Sequence, residues 1–550
     1  MMTRFAKSQE VARALAERSA DFLAGNVNTS GFGANALPFV VFNTSGHERS
    51  AVVKTVVDIE RFYFEPGNDP HECYEAFVQS IQKRESLSVV DSEGEEVEAV
   101  IRPLGIEFGY QLPEDRFRQP YWAYQVEIEL YADSVPGLGH RTFALVQKEA
   151  SARYSPELAA DRKMENEFVR VWINDDGSFD VLDKANGASY KEMGIYEDTG
   201  DIGNEYMYKQ PDGEAPLTTR GLKASIALVQ NSSLSAVYRI EHSWPLPLGT
   251  EQTLDDEMKA MVPFRFRKAQ RVKETVEVKI VTELTLEKSS RSVSMASTID
   301  NTIEDHRVRI LFPTGLQTDV VTVDSIYELA SRKIKPEAEW INPSNAQHQN
   351  AFVSISDGTA GVTVANIGLN EYEILQTDGT LAVTLLRGVR ELGDWGVFPT
   401  PEAQCKGKHT FRLNLIFHDQ DVVAYDAYVK AYQFPVPWTI RQTGIHSGSV
   451  PADHEALSWK GEKLAFSALK MGEENNDLYL RVFNVSHEST TLIAIPVFEV
   501  DGVYESTILE TKGHFVAPRA DGSYAISVGQ AKIETIGINC SAVMKQRYPV

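Results

Sequence analysis

The stretch Thr275–Glu287, TVEVKIVTELTLE, decides the fold class. Val276, Val278, Ile280, Thr282, Leu284 and Leu286 take every second position, and Glu277, Lys279, Val281, Glu283 and Thr285 take the positions between. Successive side chains of a strand point to opposite faces. Val281 apart, one face is therefore apolar and the other polar, the pattern of a long half-buried strand. Val126, Ile128 and Leu130 repeat it against Gln125, Glu127 and Glu129. Asp-Gly, whose residues tolerate the positive φ of tight hairpins, occurs at 176–177, 212–213, 357–358, 378–379, 501–502 and 521–522. Several of these pairs join alternating runs, as in VRVWINDDGSFDVLD (169–183) and FEVDGVYESTIL (498–509). The expectation is a mainly β chain of antiparallel sheets packed as sandwiches.

The chain has 550 residues, enough at about 150 per domain for three or four domains. Its start reads differently from the rest. Met1, Phe5, Ala12, Leu15 and Phe22 fall on one stripe of a helix over residues 2–24, ended by Gly25. Pattern and composition shift again around 150–165 and 435–450. This divides the chain into a helix (1–25), a linker (26–37), a small β-sandwich (38–150), a large β domain (151–440) and a C-terminal β-sandwich (441–550). No fixed-period repeat points to a propeller or solenoid.

The net charge is −24, from 54 Lys and Arg against 78 Asp and Glu. Such a chain repels a phosphate backbone, so nucleic acid is not expected as a partner. The one basic run, RFRKAQRVK (265–273), reads as a solvated strand edge or loop, with a local anion patch as the alternative. Three scattered cysteines, Cys73, Cys405 and Cys540, form no CxxC pair and fit a reducing, cytoplasmic setting. No apolar run approaches the ~20 residues that span a bilayer, and the charged first residues do not resemble a signal peptide. No membrane partner is expected.

Chemistry is harder to find. The HxH, HxD and HExxH patterns are missing, as are a GxSxG elbow, a P-loop and a GxGxxG after a strand. A glycosidase needs two carboxyl groups flanking the scissile bond. The densest candidate is EDTGDIGNEYMY (197–208), where Asp198, Asp201 and Glu205 lie with Tyr206 and Tyr208; its blander reading is an acidic solvated loop. In 299–315, His306, Arg307 and Arg309 follow Asp300, Glu304 and Asp305 and suit an ion-pair network at a strand entrance. In 385–405, Arg387, Arg390, Glu391, Asp394 and Trp395 follow an apolar strand. That mixture suits either a sugar cleft, with indole stacking and charged groups on hydroxyls, or surface salt bridging.

Six blocks in order carry a family resemblance: 165–190, EDTGDIGNEYMYKQPDG (197–213), DNTIEDHRVRILFPTG (300–315), NIGLNEYEI (366–374), LAVTLLRGV (381–389) and PEAQCKGKHTF (401–411). Together they resemble the C-terminal half of bacterial α-mannosidases of glycoside hydrolase family 38, over residues 1–435 and loosely beyond. The resemblance implies a catalytic domain, then a three-helix bundle, then β-sandwiches that include a large mutarotase-like supersandwich, here 151–440. Residues 1–25 would be the last helix of the bundle, with its apolar stripe exposed or paired with another copy in a homo-oligomer.

The family is one of zinc-dependent retaining exo-mannosidases. The resemblance places the zinc ligands, nucleophile and acid upstream of Met1, so neither catalytic residues nor metal is expected in this chain, which alone is expected to be inactive. It would complete a cleft for a mannoside, with the N-terminal catalytic domain as its partner. Its contribution to the site would be a Tyr and an Arg that reach the sugar: Tyr206, with Tyr208 the alternative, and Arg390, with Arg387 close by. The competing reading is a non-catalytic carbohydrate-binding or oligomerisation scaffold. A third, independent mutarotase or lyase chemistry in the supersandwich, rests on fold analogy alone.

Overall fold

A computed structural model describes residues 2–64, 67, 69–81, 86–113, 115, 117–148, 156–339, 345–375, 378–395 and 398–540. The chain divides into two units: Met1–Pro156 with Val436–Asn484 and Ser489–Val550, and Glu157–Pro435 with Val485–Glu488. The composition break expected around 150–165 falls partly outside the described residues.

In the first unit, residues 2–24 form the expected helix, Met2–Ala24. Only its small residues are sealed: Ala20 and Ala24 pack with Val27, Val40 and Phe42. Phe5, Leu15 and Phe22 are 62%, 59% and 58% exposed, so the stripe read from the sequence faces solvent. The stretch 26–37 is pinned in place. Thr29 is buried, and its hydroxyl donates to the Gly444 carbonyl at 2.8 Å. The first sandwich joins a sheet in the order Thr439–Gln442, Leu37–Asn43, Gly139–Gln147, Leu87–Asp91, Glu96–Val97 to a sheet Arg49–Tyr63, Gln119–Val135, Ala99–Gln111. Phe39, Val57, Val126, Ile128, Leu130 and Phe143 share one core between them. On the other face of Gln119–Val135, Glu129 is also buried and accepts from Arg102 Nη2 at 3.1 Å, so that polar position holds an ion pair. Beyond residue 456 a three-stranded and a five-stranded sheet close over Leu457, Leu480, Leu492, Val503 and Ile536.

The second unit is the larger sandwich. Among the described residues a nine-stranded sheet runs Ser225–Asn231, Ser235–Pro247, Thr275–Glu287, Ser292–Asn301, Gly407–His418, Gly361–Asn366, Phe352–Ser356, Val320–Ser325, Glu328–Lys333. A six-stranded sheet follows the order Leu217–Thr218, Ile195–Gly200, His306–Phe312, Thr380–Arg387, Glu371–Leu375, Gln347–His348. A five-stranded sheet over residues 159–193 completes the unit. Thr275–Glu287 pairs antiparallel along its full length with Ser235–Pro247, and Val278, Ile280, Leu284 and Leu286 are buried as the alternation demands. Thr282 interrupts that apolar face for a reason: its hydroxyl and that of Ser297 each lie 2.6 Å from the buried Tyr196 hydroxyl, satisfying a polar atom inside the core.

Four of the Asp-Gly pairs sit at turns beside strands with Gly at positive φ: Gly177, Gly358, Gly379 and Gly522. Asp501-Gly502 does not turn the chain. It lies inside the strand Val500–Ser506, where the register shifts between Val500 and Gly502, so the extra residue is absorbed as a bulge. Asp212-Gly213 lies in a loop before the short strand Leu217–Thr218.

Candidate functional site

Three segments of the second unit converge at one end of the six-stranded sheet: the turn after Ile195–Gly200, the basic run near 264–271 and the loop after Thr380–Arg387. The first turn is tight because residue 203 has no side chain; a Cβ there would overlap the Met207 carbonyl oxygen. Asn204 then fixes the turn. Its Oδ1 accepts the backbone N–H groups of Tyr206 and Met207, both at 2.9 Å, and its Nδ2 donates to Asp394 Oδ1 at 2.8 Å. The result is a rigid turn that sets Tyr206 outward, 64% exposed.

Arg387 ends its strand beneath this turn. Its Nε donates to Asp201 Oδ2 at 2.5 Å, and its Nη groups donate to the carbonyl oxygens of Glu205 (3.2 Å) and Asn204 (2.5 Å). Asp201 is 1% exposed; burial pushes its carboxyl above the ordinary value, with Arg387 opposing the shift. Its other oxygen takes the N–H groups of Gly203 and Lys209.

Arg267 is fully buried, which corrects the expectation of a solvated basic run. Its guanidinium bonds Glu391, Asp394 Oδ1 (2.9 Å) and the carbonyls of Ile202 and Gly203, and Asp394 Oδ2 also accepts the Phe264 N–H at 2.7 Å. Arg271, from the same run, donates to the buried Asp198 at 2.5 Å. Asp198 in turn meets His306 Nδ1 at 2.6 Å, and His306 Nε2 meets Asn301 at 3.1 Å. The acidic stretch 197–208 is thus no solvated loop: Asp198 and Asp201 are sealed, and only Glu205 and Tyr206 of its marked residues face solvent. A buried carboxylate needs a cation: Arg271 of the basic run supplies one to Asp198, and Arg387, at the end of the strand Thr380–Arg387, supplies one to Asp201.

The ion-pair network expected around His306 is present, but its partners come from neighbouring strands: Arg309 with Glu197 and Glu373, and Arg307 with Glu371 at 3.5 Å. Tyr208 is partly buried, lies 3.6 Å from the Arg307 guanidinium and bonds Thr199 at 2.8 Å. Burial pushes its hydroxyl above the ordinary range. Arg390 lines a cavity of about 450 Å³ with Asp255, Met258, Glu304, Pro399 and Gln404. Its guanidinium is held by Asp305, by Asp255 at 2.7 Å and by Thr250 at 2.9 Å. Burial opposes its charge, but those two carboxylates hold its pKa above the ordinary value. The guanidinium tied to the Tyr206 turn is therefore that of Arg387, not Arg390. Trp395, 54% exposed, packs its ring 5.7 Å from that of Tyr206.

Among the described residues no three His, Cys, Asp or Glu side chains group so as to hold a metal ion, and Asp198 and His306 are each occupied by other partners. These residues do not fit a zinc site. No described helix is long and apolar enough to cross a membrane.

Comparison with known proteins gives the geometry its context. Residues 34–147 match the model of glycosyl hydrolases family 38 C-terminal domain 1, 164–394 the family 38 C-terminal domain, and 463–536 the family 38 C-terminal beta sandwich domain. A putative mannosylglycerate hydrolase of Halalkalibacterium halodurans is 37% identical over 516 residues, which are 93% of this chain and 57% of that protein. An alpha-mannosidase from Enterococcus faecalis V583 superposes with a TM-score of 0.90 at 37% identity, over 98% of this chain and 60% of that one. A family 38 glycosyl hydrolase from Enterococcus faecalis gives 0.87 at 35%, over 98% and 62%. The chain thus spans about six tenths of the length of these relatives. With three C-terminal models of one family matched in order and the fold shared over 98% of the chain with both of these solved structures, the chain belongs to glycosyl hydrolase family 38, whose C-terminal domains it carries.

Proposed function

We propose that this chain is the cleft-completing C-terminal portion of a zinc-dependent retaining α-mannosidase that hydrolyses terminal α-mannosides. Tyr206 carries the reading: a phenol held out to solvent on a turn fixed by Asn204 and Arg387, within the span matched by the family's C-terminal domain. Its hydroxyl donates to a mannose oxygen, Arg387 keeps its turn in place, and Arg390 anchors the loop beside it.

A retaining glycosidase needs a free carboxylate nucleophile about 5 Å from a carboxylic acid. The buried carboxylates of this cluster are committed instead: Asp198 to Arg271 and His306, Asp201 to Arg387, Glu391 to Arg267, Asp305 to Arg390. Even Glu391, whose carboxyl burial raises above the ordinary value, is 1% exposed and bonded to Arg267. This supports assigning nucleophile, acid and zinc to the portion of the relatives that the chain does not span, and the chain alone is inactive.

The test is release of an aryl alcohol from an aryl α-mannoside. The purified chain is expected to release none, with or without zinc; fused behind the N-terminal portion of a family 38 relative it is expected to complete an active enzyme. In that fusion Tyr206→Phe should lower kcat/KM by about tenfold, the scale of one lost hydrogen bond to substrate. Chelator-sensitive hydrolysis by the chain alone would overturn its assigned inactivity, and unchanged turnover in Tyr206→Phe would remove Tyr206 from the site.

A further inference from the structure

Outside the polar knot that fixes the Tyr206 turn, the first unit holds an apolar arm of its own. The strands Ala99–Gln111 and Gln119–Val135 run on past the sandwich core as a hairpin, joined by LPEDRFR (112–118). From 106 to 112 the sequence IEFGYQL alternates, with Ile106, Phe108, Tyr110 and Leu112 at one parity and Glu107, Gly109 and Gln111 at the other. The helix Pro70–Ser80 covers the apolar face only in part. Its Tyr74 ring lies 5.1 Å from that of Trp122, whose Nε1 donates to the Pro70 carbonyl at 3.1 Å, and Trp122 lies 5.6 Å from Phe108. There the cover stops: Phe108, Tyr110, Leu112 and Phe117 are 54%, 47%, 72% and 83% exposed.

The arm also ends in an open sheet edge. Ala99–Gln111 is the outer strand of its three-stranded sheet, and among the described residues its backbone from 104 to 111 makes no hydrogen bond on the side away from Gln119–Val135. The opposite edge of that sheet is closed where its register shifts, because the Gln442 side chain bonds both the N–H and the carbonyl of Asp58 at 2.8 Å. Charge, Pro or a bulge usually blunts an edge. Pro103 and the register shift before Gly105 do so for the near part of Ala99–Gln111; beyond them, residues 104–113 carry Glu107 as their one charge.

Two copies of a chain with a net charge of −24 repel each other wherever charge is dense, so a contact between them needs a neutral surface. The arm is one, and it complements itself. A two-fold axis at Gly109 sets Phe108 against Tyr110 and Ile106 against Leu112 on one face, and Glu107 against Gln111 on the other, so that no like charges meet. Gly109 brings no side chain to the axis, and the Tyr121 ring already fills the place of its Cβ. Since a buried aromatic covers about 150–250 Å², the four exposed side chains offer about 500 Å² per copy and about 1,000 Å² for the pair, the lower bound of a specific interface.

We propose that Ala99–Gln111 pairs antiparallel with the same strand of a second copy through residues 106–112, joining the two three-stranded sheets into one. The partner of this surface is the chain itself, and the contact lies on the first sandwich and not on the N-terminal helix.

Sedimentation of the 550-residue chain over a concentration series tests it. A species of twice the chain mass is expected, with a dissociation constant of about 10 µM, the scale of a small interface. Tyr110→Lys places a charge in the pair and should weaken association by about tenfold or more with an unchanged melting temperature, whereas Leu15→Gln with Phe22→Gln on the helix should leave it intact. Glu107→Cys with Gln111→Cys gives a second readout: under a mild oxidant it is expected to yield a reducible covalent dimer, because the two positions face each other only across the axis. A chain that stays monomeric at about 100 µM, well above that constant, overturns the inference and leaves the arm to a strand of another protein. A dimer that survives Tyr110→Lys or is lost in the helix variant, or a double-cysteine chain that does not cross-link, overturns it as well.

Discussion

Arg387 Nε lies 2.5 Å from Asp201 Oδ2, and the same guanidinium holds the carbonyl oxygens of Asn204 and Glu205. One side chain therefore neutralises a buried carboxylate and fixes the turn that presents Tyr206. Removing it separates these duties. Arg387→Met leaves Asp201 buried without its cation and is expected to destabilise the second unit by about 3 kcal/mol. Replacing Asp201 by Asn in the same chain should recover part of that loss, since a neutral amide needs no counter-charge. Chemical denaturation of the two variants measures both effects; equal stability of Arg387→Met and wild type would contradict the pairing.

The core hydroxyl cluster makes a second, smaller prediction. Tyr196 is 1% exposed and its hydroxyl meets both Thr282 and Ser297. Tyr196→Phe strips one partner from each, at an expected cost of about 1–2 kcal/mol. Thr282→Val, which keeps the shape of the strand face, should cost less, because the Tyr196 hydroxyl retains Ser297. A calorimetric comparison of the two variants distinguishes them.

Two histidines give the protein an acid limit. Burial holds His47 and His418 neutral, each with a pKa lowered to about 4 from an ordinary 6.5. A histidine that resists protonation when folded but accepts a proton when unfolded favours the unfolded chain in acid. Stability should therefore be complete above about pH 6.5 and fall progressively from there towards pH 4, by about 3 kcal/mol for each group. Melting temperatures measured across that range check the slope. His418→Gln should flatten it in the second unit while leaving the contribution of His47 in the first.

The N-terminal helix predicts an asymmetry between its faces. Leu15 and Phe22 are more than half exposed, so Leu15→Gln with Phe22→Gln is expected to leave stability within about 0.5 kcal/mol of wild type. Ala24, 2% exposed against Val40 and Phe42, has no room for a charge, and Ala24→Glu should cost about 2 kcal/mol or more. Denaturant melts of both variants decide it.

The alternation in Thr275–Glu287 and the resemblance blocks made the β architecture and the family legible, because strand periodicity and motif order survive in one dimension. The site was legible only in part. Tyr206, Arg387, Arg390 and Trp395 stand out by type and neighbourhood, and all four lie on or beside the knot. Arg267 was hidden: in sequence it belongs to a run of cations that looks solvated, and its partners Glu391 and Asp394 lie more than 120 residues away. Separation in sequence likewise hid the burial of Asp198 and Asp201, whose cations, Arg271 and Arg387, lie 73 and 186 residues away. Local pattern reports which side of an element is apolar; it carries no signal for which distant charge will neutralise a buried one. Asp501-Gly502 failed for a related reason, since turn chemistry also suits a bulge and only the neighbouring strand decides between them.

The pairing of Thr439–Gln442 with Leu37–Asn43 has a consequence in time. During synthesis the apolar segment LPFVVFN appears early, yet the strand that covers one of its edges is made some 400 residues later, about 20 to 80 s at ordinary elongation rates. Through that interval the first sheet offers an unpaired hydrophobic edge while the whole intervening unit is being produced, and an open edge recruits other chains. The nascent protein is thus most prone to aggregate before residue 439 emerges, and slowing translation within residues 157–435 would prolong the hazard.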